Sequence, residues 1–291
     1  MPWFWRAPKN TTHKNSRVVH AAKRANDPVD LDMLPKDLRE VNRLDFQHYF
    51  MRQALNSNYL APIQRPTGIL DIGCGTGRWM AEMAQKFPQA SVTSTDVTPI
   101  SLTNSSIPFS SNCHFQQNNV LDGLPFLPNT FDFSHLRFLS FALPLQTWPS
   151  VVQELIRVTR PGGWVELVEP DLTLRNPGPE TVRLLQLVGH SCETRGLDVT
   201  IGKKLSSFLQ NAGLTNVIER KISIPMGSWG GRIGSMLAIN YDEAAVVLKP
   251  LVTAITKVPP EEYDFIVEAW QRENNMYHTT CDFYVAYGQR P

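Results

Sequence analysis

"ILDIGCGTGRWM", Ile69 to Met80, carries an apolar, strand-like run into three glycines at alternate positions, Gly73, Gly75 and Gly77. Glycine costs conformational entropy, so something here needs the backbone bare. A tight turn accounts for one of the three, or two. A ligand pressed against the main chain accounts for all of them.

Outward from this stretch, helical and strand periodicities alternate. A helix is predicted from about Gly77 to Phe87, with Met80, Met83, Ala84 and Phe87 on one side. "ASVTSTDV" reads as a second strand ending at Asp96, "CHFQQNNV" as a third, "TFDFSHL" as a fourth and "WVELVEP" as a fifth. "PSVVQELIRVTRPGG" is a helix stopped by Pro161 and two glycines. This alternation predicts a parallel, doubly wound α/β sheet. Further helices are expected near Glu180 to Thr194 and in "GKKLSSFLQNAGLTNV", then strands at Val217 to Ile224 and in "CDFYVAYGQ". Between those two strands, helical patterns over Ile233 to Thr256 and Glu261 to Tyr277 are too long for a hairpin loop and predict a cap.

Upstream, Leu38, Val41, Leu44, Met51 and Leu55 recur at helical steps, with His48 on the same stripe. The expected organisation is a flexible basic tail over 1–27, a helical lid over 28–66, a ligand-binding core over 67–225, a cap over 226–278 and a final core strand over 279–291. The tail holds six Lys or Arg and a single acid, Asp27.

Bulk composition is that of a globular protein, 42% hydrophobic and 19% charged. A net charge of +1 argues against a nucleic-acid partner. No apolar run approaches the roughly 18 residues of a membrane span, and the N-terminus lacks the apolar core of a secretory signal. Cys74, Cys113, Cys192 and Cys281 lie far apart with no metal-ligand spacing, as expected for reduced thiols of a cytoplasmic protein.

In open parallel sheets, ligands bind beyond the carboxyl ends of the strands, where Gly73 to Gly77 sit. Asp96 ends the next strand, 19 residues after Gly77, and a carboxylate there can accept hydrogen bonds from both hydroxyls of a ribose. A dinucleotide fingerprint needs G-x-G-x-x-G, whereas this spacing is G-x-G-x-G with Arg at position 78. Asp71 stands directly before the loop, which suits a ligand bearing an ammonium group better than a pyrophosphate.

"LDIGCGTG" resembles the first motif of class I S-adenosylmethionine-dependent methyltransferases, and "STDV" resembles their ribose-binding acidic motif. "NNVLDGLPFLPNTFDFSHLRF" and "ELIRVTRPGGWVELVEP" are similar to the blocks that follow. A narrower resemblance, through "LPKDLREVNRLDFQHYF" and "PGGWVELVEPD", is to the methyltransferases that include regulators of fungal secondary metabolism and their bacterial relatives. The resemblance implies a Rossmann-like, seven-stranded sheet and S-adenosyl-L-methionine as cofactor. Carried over, Asp71, Gly73, Cys74, Gly75 and Gly77 would surround the methionyl part. Asp96 would hold the ribose and Val97 would pack on the adenine. Asn119, where the class usually has Asp, and Val120 would complete the adenine site, and an Asn carbonyl can still accept from the adenine amino group. His135 and Arg137 would lie near the sulfonium or the methionyl carboxylate.

Methyl transfer from a sulfonium is an in-line displacement and needs a base only for a protonated, weakly acidic acceptor. Candidate bases are His135, His48 and Glu169. For each histidine the competing reading is a structural hydrogen bond. Arg137 would pair with the cofactor carboxylate or bridge strands and loops. Trp229, Met236, Tyr241, Trp270, Met276 and Tyr277 would supply apolar surface in the cap, for a hydrophobic small molecule or for core packing. The expectation is therefore an enzyme, a monomer or homodimer, that methylates an O, N or C atom of a small specialised metabolite, with no metal. A cofactor-binding regulator acting through protein partners is the second reading, and an NAD-dependent oxidoreductase is the third.

Overall fold

The computed structural model describes residues 38–100 and 108–291. The predicted tail lies outside the described residues. The described residues belong to one compact unit.

Seven strands form a single sheet: β1 (Gly68–Ile72), β2 (Ser91–Asp96), β3 (Cys113–Gln117), β4 (Phe131–Arg137), β5 (Thr159–Arg175), β6 (Thr215–Pro225) and β7 (Thr280–Gln289). Their order is β3-β2-β1-β4-β5-β7-β6. β1 to β5 are parallel, as the alternation of elements requires. β7 runs antiparallel between β5 and β6, so the sheet is mixed rather than wholly parallel. The physical reason is the helical hairpin between β6 and β7, which returns the chain to the edge it left. β5 also begins earlier than the expected "WVELVEP": Thr159 already pairs with Phe131, and the Pro161–Gly163 segment is absorbed as a register shift.

Among the described residues, seven α-helices flank the sheet: α1 (Leu38–Leu55), α2 (Arg78–Lys86), α3 (Trp148–Val158), α4 (Pro179–Glu193), α5 (Leu205–Asn211), α6 (Gly231–Thr256) and α7 (Pro260–Met276). β1 shows why the strand reads as continuously apolar, since it is buried on both faces. Ile69 faces a cluster with Phe50 and Met51 of α1, Met80 and Met83 of α2, Leu237 of α6 and Tyr263 of α7. Leu70 and Ile72 face the opposite cluster, with Trp148 and Val152 of α3 and Leu205 of α5. Each of the large side chains so buried contributes roughly 1.5–3 kcal/mol.

The apolar stripe of α1 buries Met51 as the periodicity predicts, together with Phe50, Arg43 and His48. The helix packs on the cap as well as on the core, with Arg43 Nη1 donating to Asn240 Oδ1 of α6 at 3.0 Å. Of the cap residues singled out above, Trp270 is buried and donates to Asp242, whereas Met276 and Tyr277 are exposed.

Candidate active site

The three glycines form the turn from β1 into α2, and all have left-handed backbone, φ +69°, +55° and +77°. A Cβ on Gly73 would stand 2.6 Å from Leu139 Cδ2, and one on Gly75 would stand 3.2 Å from Leu44 Cδ1 of α1. The loop is thus roofed by the β4–α3 connection and by the covering helix, and its left-handed backbone is what favours glycine. Gly73 and Cys74 donate their N–H groups to Thr95 O, at 2.9 and 3.2 Å.

Asp96 is built into the same turn. Its Oδ2 accepts from Gly75 N at 2.9 Å, and its Oδ1 accepts from Thr98 N at 2.8 Å. The carboxylate thus stands at the end of β2 against the glycine turn, a place from which an acid can accept from the hydroxyls of a ribose. Val97 beside it is 43% exposed, a free apolar wall, while Val120 is buried in the core. Asn119 caps a short 3₁₀ turn, its Oδ1 accepting from Leu121 N at 3.1 Å. The Cys74 thiol is pushed up by burial and by Asp71 and Asp96, which makes it a poor nucleophile.

Beneath the loop, a row of polar groups crosses the sheet. Asp71, His135 and Glu166 are register neighbours on β1, β4 and β5, and all three are buried. His135 Nδ1 lies 3.0 Å from Asp71 Oδ1. A carboxylate accepts, so Nδ1 carries the proton and Nε2 the lone pair. Trp79 stacks on this ring, centroids 4.1 Å apart and planes within 4°, and the residue is 1% exposed. Burial lowers its pKa, against the pull of Asp71. His135 Nε2 is buried with no hydrogen-bond partner among the described residues.

A second chain of contacts starts at Arg137, one step beyond the Ile72–Leu136 pair and so level with the glycine turn. Its Nη2 lies 3.1 Å from His48 Nδ1. Guanidinium can only donate, so Nδ1 accepts and the proton sits on Nε2, which faces Glu82 Oε1 at 3.2 Å. Glu82 also accepts from Arg52 and from Asn58 Nδ2, each at 2.9 Å. Burial pushes Glu82 up, but the bonds from His48 and Asn58 and the charge of Arg52 bring it down to about 2. Arg137 Nη1 is buried without a hydrogen-bond partner among the described residues, a donor suited to the carboxylate of an amino-acid group. After Arg137 the chain turns through Phe138 at φ +62°, a strained conformation for an aromatic residue. That turn aims Leu139 N and Ser140 N at Glu169, at 2.6 and 3.2 Å.

The structure therefore brings Asp71, Gly73, Cys74, Gly75, Gly77, Asp96, His135, Arg137 and His48 together, and sets Asn119 and Val120 beyond β3. Sequence reasoning missed Asp45 and Glu82. Asp45 on α1 accepts from Thr76 Oγ1 and Arg78 Nη2, both at 2.8 Å, lacing the helix to the glycine turn. Asp45, His48 and Arg52 stand at helical steps of three and four, a polar stripe beside the apolar one that carried the signal. Among the described residues no group of three or more His, Cys, Asp or Glu could hold a metal ion, and no helix is long and apolar enough to cross a membrane.

A sheet of this order with a glycine turn after β1 and an acid after β2 defines a nucleoside-binding α/β protein. The comparisons carry this further. Residues 69–163 match the family model described as methyltransferase domain. Methyltransferase str3 of Strobilurus tenacellus is 33% identical over 67% of this chain and 70% of its own length. Methyltransferase pytC of Aspergillus terreus is 29% identical over 96% of this chain and 88% of its own. Phosphoethanolamine N-methyltransferase 2 of Haemonchus contortus, solved in complex with S-adenosyl-L-methionine, shares the fold with a TM-score of 0.52 at 15% identity. The alignment covers 86% of this chain and about half, 52%, of that one. This chain belongs to the class I S-adenosylmethionine-dependent methyltransferases, which sets aside the oxidoreductase reading.

Proposed function

We propose that the chain methylates an O, N or C nucleophile of a small specialised metabolite, with the loop of Gly73, Gly75 and Gly77, Asp71, Asp96 and Arg137 holding the cofactor. The observation that carries this reading is the pair of N–H bonds from Gly75 and Thr98 to Asp96, which makes the glycine turn and the ribose acid one preformed unit. S-adenosylmethionine supplies the electrophilic methyl group. The chain's own task is to orient donor and acceptor and to exclude water. Helix α1 covers the donor through Leu44 and Asp45, and the α6–α7 hairpin selects the acceptor.

His135 positions Asp71 in this reading rather than taking a proton from the acceptor. The burial of its Nε2 supports that role, because that nitrogen is closed off from solvent. His48 has its Nδ1 engaged by Arg137 and its Nε2 facing Glu82 Oε1 at 3.2 Å. Four free cysteines fit a reducing, cytoplasmic setting, and the net charge of +1 fits the absence of a nucleic-acid partner.

The test is calorimetry with S-adenosylhomocysteine on Asp96→Ala, with loss of at least about tenfold in affinity expected from two hydroxyl bonds. Unchanged affinity would reject the ribose site. Incubating the protein with methyl-labelled cofactor and a small-molecule extract should label a metabolite. A regulator acting through protein partners would bind the cofactor and label none.

A further inference from the structure

We infer that His48 is a positioning residue that lets the cofactor site sense pH: its unprotonated Nδ1 holds Arg137 Nη2 so that Nη1 is presented to the carboxylate at the amino-acid end of the cofactor. The inference rests on the reading above that Arg137 meets that end of the ligand. Its geometry is a directed chain. Asn58 and Arg52 fix Glu82, Glu82 faces His48 Nε2 at 3.2 Å, and Nδ1 receives Arg137 at 3.1 Å. Every donor and acceptor in this chain is determined by the two ends, because guanidinium cannot accept and a carboxylate cannot donate. Among the described residues, Arg137 Nη1 is a buried donor without a hydrogen-bond partner, at the level of the glycine turn.

Protonation breaks the chain at a single atom. An imidazolium has no lone pair at Nδ1 and turns an N–H and a positive charge toward Arg137. The groups facing His48 are Glu82 from α2, Arg137 and His135 from β4, and Arg52 on α1 itself. Glu82 favours the cation, while Arg137 and Arg52 oppose it. Burial is the largest influence and lowers the pKa from its ordinary value, so His48 is neutral at neutral pH and the chain is intact. Acidification through that lowered pKa then frees Arg137 and weakens binding of a ligand that carries a carboxylate. A ligand without one is indifferent to the change.

Two probes separate the effects: S-adenosylhomocysteine, which has the amino-acid end, and 5′-methylthioadenosine, which has the nucleoside and lacks that end. In the native protein, the affinity ratio between the two should shrink by up to about tenfold per pH unit once His48 titrates, and a ratio constant from pH 7.5 to 5 overturns the inference. His48→Gln keeps a donor for Glu82 and deletes the acceptor for Arg137. It should bind S-adenosylhomocysteine about tenfold more weakly at pH 7.5 and 5′-methylthioadenosine as the native protein does. His48→Asn places an oxygen acceptor near Nδ1 and cannot titrate. It should recover most of the affinity and lose the acid-side decline. Equal weakening for both probes in His48→Gln would mean a merely structural role and sinks the inference, as does an undiminished acid slope in His48→Asn. If Asp96→Ala leaves both affinities intact, the cofactor-site reading itself has failed. Loss in Asp96→Ala with no effect in His48→Gln rejects only the role of His48.

Discussion

A buried imidazole with one nitrogen bonded and the other unpartnered is costly to keep inside a sheet, and His135 is such a group. Its return is the Asp71 carboxylate, which would otherwise be buried beside the turn with less to hold it. Replacing His135 by Leu therefore removes the Nδ1–H donor and is expected to destabilise the fold by about 2–3 kcal/mol, measured by denaturant unfolding. His135→Asn retains a donor near Nδ1 and separates positioning from catalysis. With a positioning role it keeps most of the turnover and the native shape of the kcat–pH profile. A base would instead lose turnover at least about 100-fold with cofactor affinity intact, and that result would return His135 to the reacting atoms.

Among the elements, α1 holds the most consequence for the site, because three of its side chains meet residues proposed to hold the cofactor or the loop they belong to. Leu44 closes on Gly75, Asp45 ties Thr76 and Arg78, and His48 meets Arg137. The Asp45–Arg78 pair is partly buried, and its bond to Asp45 raises the Arg78 pKa despite some desolvation. Asp45→Ala should leave the sheet intact and shift Tm by no more than a few degrees. It should increase hydrogen exchange of α1 and weaken S-adenosylhomocysteine several-fold. Unaltered exchange in α1 would show that Asp45 does not fasten the helix. The helix itself was legible in the sequence, since Leu38 to Leu55 repeats apolar residues at helical steps and Met51 on that stripe is buried. The β1 strand and its glycine turn were legible for the same reason. What one-dimensional pattern does not carry is pairing across space. Asp45 and Arg78 are 33 residues apart, and the tautomer of His48 depends on Glu82 from another helix. The reversed direction of β7 depends on where the 54-residue excursion between β6 and β7 comes back to the sheet, not on anything within "CDFYVAYGQ".

For the whole molecule, pH stability follows from two carboxyls on β5. Glu166 Oε2 accepts from Leu60 N and Ala61 N, fastening the segment before β1, and Glu169 fastens Leu139, the roof over Gly73. Burial outweighs these bonds and pushes Glu166 up to about 7 and Glu169 up to about 8. A folded pKa above the unfolded value, near ~4.3 for Glu, means that the stabilisation is complete below that value and is lost as pH rises through 7 and 8. His48 and His135 have the opposite sign: burial lowers both, so their stabilisation is present above ~6.5 and lost as pH falls through the lowered values. The opposing slopes offset one another at mildly acid pH, and above ~6.5 only the glutamate loss remains. Tm should therefore fall between pH 6.5 and 9 by several degrees, from a loss on the order of 2 kcal/mol. Glu166→Gln combined with Glu169→Gln retains carbonyl acceptors for the backbone N–H groups and removes the titration, so thermal melts of the double variant should be flat over this range. A native protein whose Tm holds constant from pH 6.5 to 9, or a double variant that declines as steeply as the native one, would show that these carboxyls are ionised in the fold. In that case the N–H donors at Leu60, Ala61, Leu139 and Ser140 prevail over burial, and the roof over the glycine turn is held by charge.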